Sequence, residues 1–142
     1  MALNVANMID EYILAWNSHD VNKIVSFFTD DGIYEDVAMG IASKGKTEIT
    51  KYLNSMYVDF PDMKFEKKSA FGTNDWMGIE IVVSGTHAHS SLPGVPATGK
   101  TFSVRAAGIY QIHKGMISRK SVYMNMVTFM QQVGLMPGQP AK

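Results

Sequence analysis

The spacing of apolar side chains changes once along this chain, from a helical period to a strand period. Up to about residue 60, apolar residues recur at intervals of three and four, which predicts amphipathic helices. From Met63 onward they alternate with polar residues, which predicts strands. Helices followed by neighbouring strands are typical of the α+β class, in which helices pack on one face of an antiparallel sheet. With 142 residues, the chain is predicted to form one such domain.

Three helices are predicted in the first half of the chain. The first ends near Asn17, and Asp20 can cap a short second helix. The third is predicted over residues 46–58 and ends before Pro61, because proline cannot continue a helix. A terminal helix is predicted over residues 126–133, and residues 40–45 are predicted to be a loop.

Four strands are predicted in the second half, over residues 64–71, 76–87, 100–112 and 116–123. The strand over 100–112 has an apolar face and a mixed face, so one side of the sheet should be buried. The other side is expected to form a homodimer interface. Sedimentation at dilute concentration that gives only a monomer mass would contradict the dimer.

A strand predicted over residues 33–37 carries the first candidate for chemistry. Side chains alternate along a strand, so Tyr34 and Asp36 share one face. Residues 37–39 surround Asp36 with apolar side chains, and desolvation makes a carboxylate a stronger general base. The alternative is an aspartate at a strand end that caps the following turn.

Three further polar residues have open alternatives. Tyr12 lies on the apolar stripe of the first helix, where its hydroxyl either serves a pocket or belongs to an ordinary core tyrosine. Asn125 could point a donor into a pocket or bond to the local backbone. Arg105 could bind an anionic substrate group or form an ion pair at a subunit interface.

The composition argues against several classes of function. The 13 Lys and Arg residues balance 13 Asp and Glu residues, so no cationic field favours nucleic acid or a membrane surface. The absence of cysteine excludes disulfides, thiolate nucleophiles and cysteine-ligated zinc. His87 and His89 share a strand face but offer only two ligands, so no metal is expected. Because the sequence shows neither a long apolar run nor a signal peptide, a cytoplasmic location is expected.

Four motifs follow one another along the chain: Trp16-Asn17-Ser18-His19-Asp20, Phe27-Phe28-Thr29-Asp30-Asp31-Gly32, Tyr34-Glu35-Asp36 and Gly45-Lys46-Thr47-Glu48-Ile49. Their order resembles that in the superfamily of nuclear transport factor 2, ketosteroid isomerase and the SnoaL-like polyketide cyclases. The part from Arg105 to Leu135 is most similar to the SnoaL-like branch. The resemblance implies a cone-shaped fold, with three N-terminal helices on a curved antiparallel sheet and a pocket in the open end of the cone.

The resemblance also implies roles for single residues. In ketosteroid isomerase a tyrosine on the first helix donates to the dienolate oxygen and an aspartate moves the proton; Tyr12 and Asp36 match them. The second, protonated aspartate of that enzyme corresponds to about Gly108, which has no side chain to donate. The acid/base aspartate of the polyketide cyclases falls near Asn125, which can hydrogen-bond but cannot exchange a proton.

Two principal hypotheses follow for the function. The first is a cofactor-free isomerase or cyclase that acts beside a carbonyl of a small hydrophobic, steroid- or polyketide-like substrate. Asp36 would be the base and Tyr12 would stabilise the enolate oxygen. Trp16, Met39, Trp76 and Tyr110 would line the pocket, and Asn125 would orient the carbonyl. The alternative is a protein of the same fold that binds a small molecule without converting it, and a protein-interaction module like nuclear transport factor 2 comes third.

Overall fold

Four helices and six strands make up residues 4–136, the part of the chain that the computed structural model describes. In chain order they are α1 (Val5–Asn17), α2 (Val21–Ser26), β1 (Phe28–Asp36), β2 (Ile41–Lys44), α3 (Gly45–Asp59), β3 (Lys64–Gly72), β4 (Trp76–Thr86), β5 (Thr101–His113), β6 (Met116–Met124) and α4 (Met126–Val133). The α+β class is confirmed, and the predicted bounds of α4 are those observed.

The six strands form one sheet in the order β2-β1-β6-β5-β4-β3. All neighbouring strands are antiparallel except β1 and β6, which run parallel; the long stretch of chain between them provides the connection that parallel strands need. Helix α1 packs against β3, and α3 packs against β1. The helices therefore cover one face of the sheet, and the predicted cone encloses its core there.

The helix ends follow from local side chains. Asp20 caps α2 as predicted, because its carboxylate accepts a hydrogen bond of 3.0 Å from the backbone N–H of Lys23. Asn4 caps α1 in the same way, through the backbone N–H of Asn7. None of the helices within residues 4–136 is long and apolar enough to cross a membrane.

Strand β2 lies in the segment that the sequence predicts to be a loop. It is a four-residue edge strand that pairs with β1, and Gly40 turns the chain back with a φ of 69°. Alanine is depleted in strands, so the sequence around Ala42 does not indicate a strand, and β2 is defined by its pairing with β1.

The outer face of the sheet has the mixed character that the sequence predicts. On β5, Ile109 is exposed, whereas Tyr110 is buried. Arg105 forms an ion pair of 2.6 Å with Glu80 on the neighbouring strand, so its partner comes from its own chain. The homodimer through this face stays a prediction.

A β-bulge in β6 decides which of its side chains face the helices. Gln111 pairs with Arg119 and Ile112 pairs with Ile117, which leaves Ser118 as an extra residue. A bulge reverses the alternation of side chains beyond it. Lys120 therefore turns to the inner face, where an unbroken strand would have turned it outward.

Candidate functional site

A cavity of about 300 Å³, hereafter the central cavity, lies between the helices and the inner face of the sheet. Its walls are mostly apolar. The polar side chains that line it from α1, α3, β1, β5 and β6 are Tyr12, Tyr34, Asp36, Tyr52, Ser55, Asp59, Tyr110 and Lys120. An apolar cavity with a few converging polar side chains is typical of a small-molecule site.

Five of the seven residues predicted for the site line the central cavity: Tyr12, Trp16, Asp36, Met39 and Tyr110. Met39 is partly exposed, whereas Tyr12, Trp16 and Tyr110 are buried. The structure thus brings the predicted base and the predicted donor into one cavity.

The prediction that Trp76 forms a wall is wrong. Its side chain is 51% exposed at the start of β4, and the residue pairs with Gln111 on the outer face of the sheet. The inner face of this strand is carried by Met77 and Ile79, which are buried. Alternation along β4 therefore directs Trp76 away from the cavity.

The prediction that Asn125 points into the cavity is also wrong. Its side-chain oxygen accepts a hydrogen bond of 3.1 Å from the backbone N–H of Thr128, so it caps α4. This is the local backbone bond that the sequence left as the alternative. The bulge in β6 contributes to the error, because it turns Met124 toward the cavity in place of Asn125.

Two donors hold the carboxylate of Asp36. The Tyr52 hydroxyl donates to Oδ2 at 2.6 Å, and the backbone N–H of Met39 donates to Oδ1 at 3.0 Å. Asp36 therefore has both of the roles that the sequence left open, because it caps the following turn and also lines the cavity. Burial, followed by the charge of Asp36, raises the pKa of Tyr52, so this phenol stays protonated as a donor. A carboxylate oxygen has more than one acceptor site, so both oxygens can still accept a proton.

Tyr12 lies buried at the centre of an aromatic cluster. Its ring makes edge-to-face contacts with Phe27 at 5.3 Å and with Tyr110 at 5.6 Å. Burial raises the pKa of Tyr12 well above its ordinary value, so its hydroxyl stays protonated at neutral pH. The group can therefore donate a hydrogen bond to an oxygen that becomes negative.

Lys120 is the functional candidate that sequence reasoning missed. Only 5% of its surface is exposed, and its Nζ donates a hydrogen bond of 3.1 Å to the hydroxyl of Tyr12. The ammonium lies over four aromatic rings, at 4.3 Å from the ring centre of Trp16, 4.7 Å from Tyr34 and 5.3 Å from both Tyr12 and Tyr110.

Burial lowers the pKa of the Lys120 ammonium to about 7, although the charge of Asp36 acts in the opposite direction. No sequence motif marks this lysine. The pairing of Lys120 with Tyr34 on β1 and Tyr110 on β5 places it between two inward tyrosines, but that pairing depends on the bulge.

Gly108 leaves room for Tyr110 where the resemblance implies a second acid. A Cβ at position 108 would lie 2.8 Å from Cε1 and 3.0 Å from the hydroxyl of Tyr110. The phenol therefore occupies the space beside the missing side chain, and any larger residue at position 108 would have to displace it.

The segment after β4 lines another part of the cavity. Asp59 at the end of α3 accepts hydrogen bonds from the backbone N–H of Ser91 at 3.1 Å and its hydroxyl at 2.8 Å. His89 contacts the same carboxylate, whereas His87 is buried against the ring of Phe60. The two histidines thus have separate partners. Within residues 4–136, no three His, Asp or Glu side chains come together as metal ligands would.

Comparisons with known proteins match this chain over almost its whole length. The family model of the SnoaL-like polyketide cyclases matches residues 6–133. The chain belongs to this family. Membership supports a role of the cyclase or isomerase type. A comparison with curated protein sequences finds no significant match.

Solved structures share the fold at low sequence identity. AclR from Streptomyces galilaeus is 22% identical with a TM-score of 0.78, over 95% of this chain and 87% of its own. IdmH from Streptomyces antibioticus is 21% identical with a TM-score of 0.77, over 92% of this chain and 99% of its own. A protein with a ketosteroid isomerase-like fold from Catenulispora acidiphila, in complex with trimethylamine, is 22% identical with a TM-score of 0.76, over 94% and 96%. These similarities confirm the predicted fold.

Proposed function

We propose that this protein is a cofactor-free enzyme that transfers a proton beside a carbonyl group of a small hydrophobic substrate. The observation that carries the proposal is that Asp36 and Tyr12, a carboxylate and a protonated phenol, line one apolar cavity. The first can accept a proton from carbon, and the second can donate to the oxygen that becomes negative. A polyketide- or steroid-like substrate suits the apolar walls and the family to which the chain belongs.

The reaction begins when Asp36 removes a proton from the carbon next to the carbonyl. The electron pair moves to the carbonyl oxygen, and Tyr12 donates a hydrogen bond to the enolate. A positioned base contributes about 10² to 10⁴ in rate, and a positioned donor contributes about 10² to 10³. If Asp36 returns the proton to another carbon, the outcome is isomerisation. If the enolate carbon attacks a second carbonyl of the same molecule, a carbon–carbon bond closes the ring, and Asp36 returns its proton to the alkoxide that forms from the second carbonyl.

Deuterium exchange in a hydrophobic ketone tests the proposed chemistry without knowledge of the natural substrate. The probe is 2-tetralone, whose C1 protons lie next to the carbonyl. We expect the protein in D₂O to replace these protons faster than buffer alone, as measured by proton NMR. A rate equal to that of buffer, at a protein concentration that binds the probe, would contradict the proposal.

A second candidate function is binding without turnover. It is favoured by Gly108 and Asn125, because neither supplies the second acid that the resemblance implies and Asn125 caps a helix outside the cavity. The same experiment separates the two functions. A binding protein would change the fluorescence of the buried Trp16 on addition of 2-tetralone but would leave its isotope content at the level of buffer.

A further inference from the structure

We infer that the Lys120 side of the central cavity binds an oxyanion, so that the substrate is a hydrophobic molecule with an ionised enol or carboxylate group. The inference rests on the proposed function, because it names the substrate class of the same cavity. It depends on the surroundings of Lys120 and Trp16, which both line that cavity.

Lys120 has no anionic partner in the described part of the chain. Its Nζ contacts the hydroxyl of Tyr12 and the faces of four rings, and none of the ion pairs between residues 4 and 136 includes it. The charge of Asp36 acts on Lys120 from a distance, without an ion pair between the two side chains. A buried ammonium without a counter-ion is costly, and an anion in the cavity would compensate this charge.

Trp16 supplies a second donor that lacks a well-formed hydrogen bond. Its side chain is 3% exposed, and its Nε1 is the one buried side-chain nitrogen or oxygen in residues 4–136 without a hydrogen bond of good geometry, although it interacts with the neighbouring hydroxyl of Tyr12. Buried donors are normally paired, so one beside a cavity indicates a missing acceptor. Because the ammonium of Lys120 lies 4.3 Å from the ring centre of Trp16, one oxyanion group could occupy the space next to both.

The neighbours of Lys120 set the pH dependence of this site. The groups that face it are Tyr12 on α1, Tyr34 and Asp36 on β1, and Tyr110 on β5. Burial raises the pKa of all three phenols, so they stay neutral between pH 6 and pH 8. Lys120 titrates inside this range, since its pKa is about 7 without a ligand. A bound anion would raise that pKa, so an anion should bind most tightly below pH 7 and less tightly above it.

A matched pair of aromatic probes tests the site by calorimetry. The probes are 2-naphthoate, which is ionised throughout this pH range, and 2-naphthamide, which is neutral and nearly the same shape. At pH 6 we expect the carboxylate to bind at least about tenfold more tightly than the amide, as a charge-assisted hydrogen bond allows. From pH 6 to pH 8 its affinity should fall by up to about tenfold with loss of the Lys120 proton, whereas that of the amide should not change.

Variants assign the effect to its residues. Lys120→Met should remove both the preference for the carboxylate and the pH dependence of carboxylate binding, and this variant should still bind the amide. Lys51→Met, at an exposed position on α3, should change neither the preference nor the pH dependence. Trp16→Phe should lower the affinity for the carboxylate more than the affinity for the amide. His87→Gln should keep the pH dependence of carboxylate binding. His87 is also buried and lines the cavity, but it is not among the groups that face Lys120.

A third probe identifies the kind of oxyanion. The 1,3-diketone 2-acetyl-1-tetralone changes its absorption spectrum on ionisation, so the spectrum of the complex shows whether the enolate is bound. Binding of the enolate in wild type and of the neutral form in Lys120→Met would support an enol substrate, and preference for naphthoate alone would support a carboxylate.

Two results would overturn the inference. One is equal affinity of wild type for naphthoate and naphthamide at pH 6, and the other is a preference for naphthoate that Lys120→Met retains. Either result together with exchange of 2-tetralone would remove the oxyanion site and leave the proposed function standing. A preference for naphthoate that depends on Lys120, without exchange of 2-tetralone, would support the oxyanion site and remove the proposed function.

Discussion

Replacement of Asp36 with asparagine lowers the rate of deuterium exchange in 2-tetralone by a factor of about 10² to 10⁴, the usual contribution of a positioned general base. An amide cannot accept the proton from carbon, but it keeps the size of the carboxylate. Its oxygen can keep the hydrogen bond from the backbone N–H of Met39, and its NH2 group, in the place of Oδ2, can donate to the hydroxyl oxygen of Tyr52. Exchange is measured by proton NMR at saturating probe, so that a change in affinity does not enter the rate.

Asp31→Asn is the matched control for this variant. Asp31 lies on the same strand and is exposed, and its carboxylate accepts a hydrogen bond of 3.1 Å from Thr29 outside the central cavity. The control should exchange 2-tetralone at the wild-type rate. Equal rates for Asp36→Asn and wild type would show that another group is the base.

Leu53→Ala lowers the free energy of unfolding by about 2 to 5 kcal/mol, because it leaves a cavity in a filled core. Leu53 is 0% exposed on α3 and packs in the core cluster that also contains Tyr12, Trp16 and Tyr34. The helix also carries Tyr52, so a shift of α3 disturbs the partner of Asp36. Urea denaturation followed by circular dichroism measures the effect.

Leu14→Ala removes the same atoms from a helix surface. Leu14 is 69% exposed on α1, and its substitution should change the free energy of unfolding by no more than about 0.5 kcal/mol. Equal losses for the two variants would mean that α3 does not pack on the sheet as described.

The sequence predicts the elements of this fold better than their inward faces. Regular alternation in β1 correctly places Tyr34 and Asp36 together, and the helical stripe correctly places Tyr12 and Trp16. Strand β2 escapes prediction because it is short and its pairing is imposed by β1 rather than by its own residues.

The errors at the site have one main cause. An extra residue at Ser118 reverses the alternation in β6, and nothing in the local sequence marks it. Lys120 therefore lies in the cavity where the pattern indicates an outward lysine, and Asn125 caps α4 where the pattern suggests an inward donor. Burial of a lysine can be read only from tertiary structure, because charged residues are normally exposed.

The most direct test of the central claim is a crystal structure with 2-tetralone bound. The account predicts electron density for the ketone in the central cavity, with its oxygen about 3 Å from the hydroxyl of Tyr12 and its C1 facing the carboxylate of Asp36. Density for the ketone elsewhere on the protein, with the cavity closed by its own side chains, would contradict the claim that this cavity is the active site.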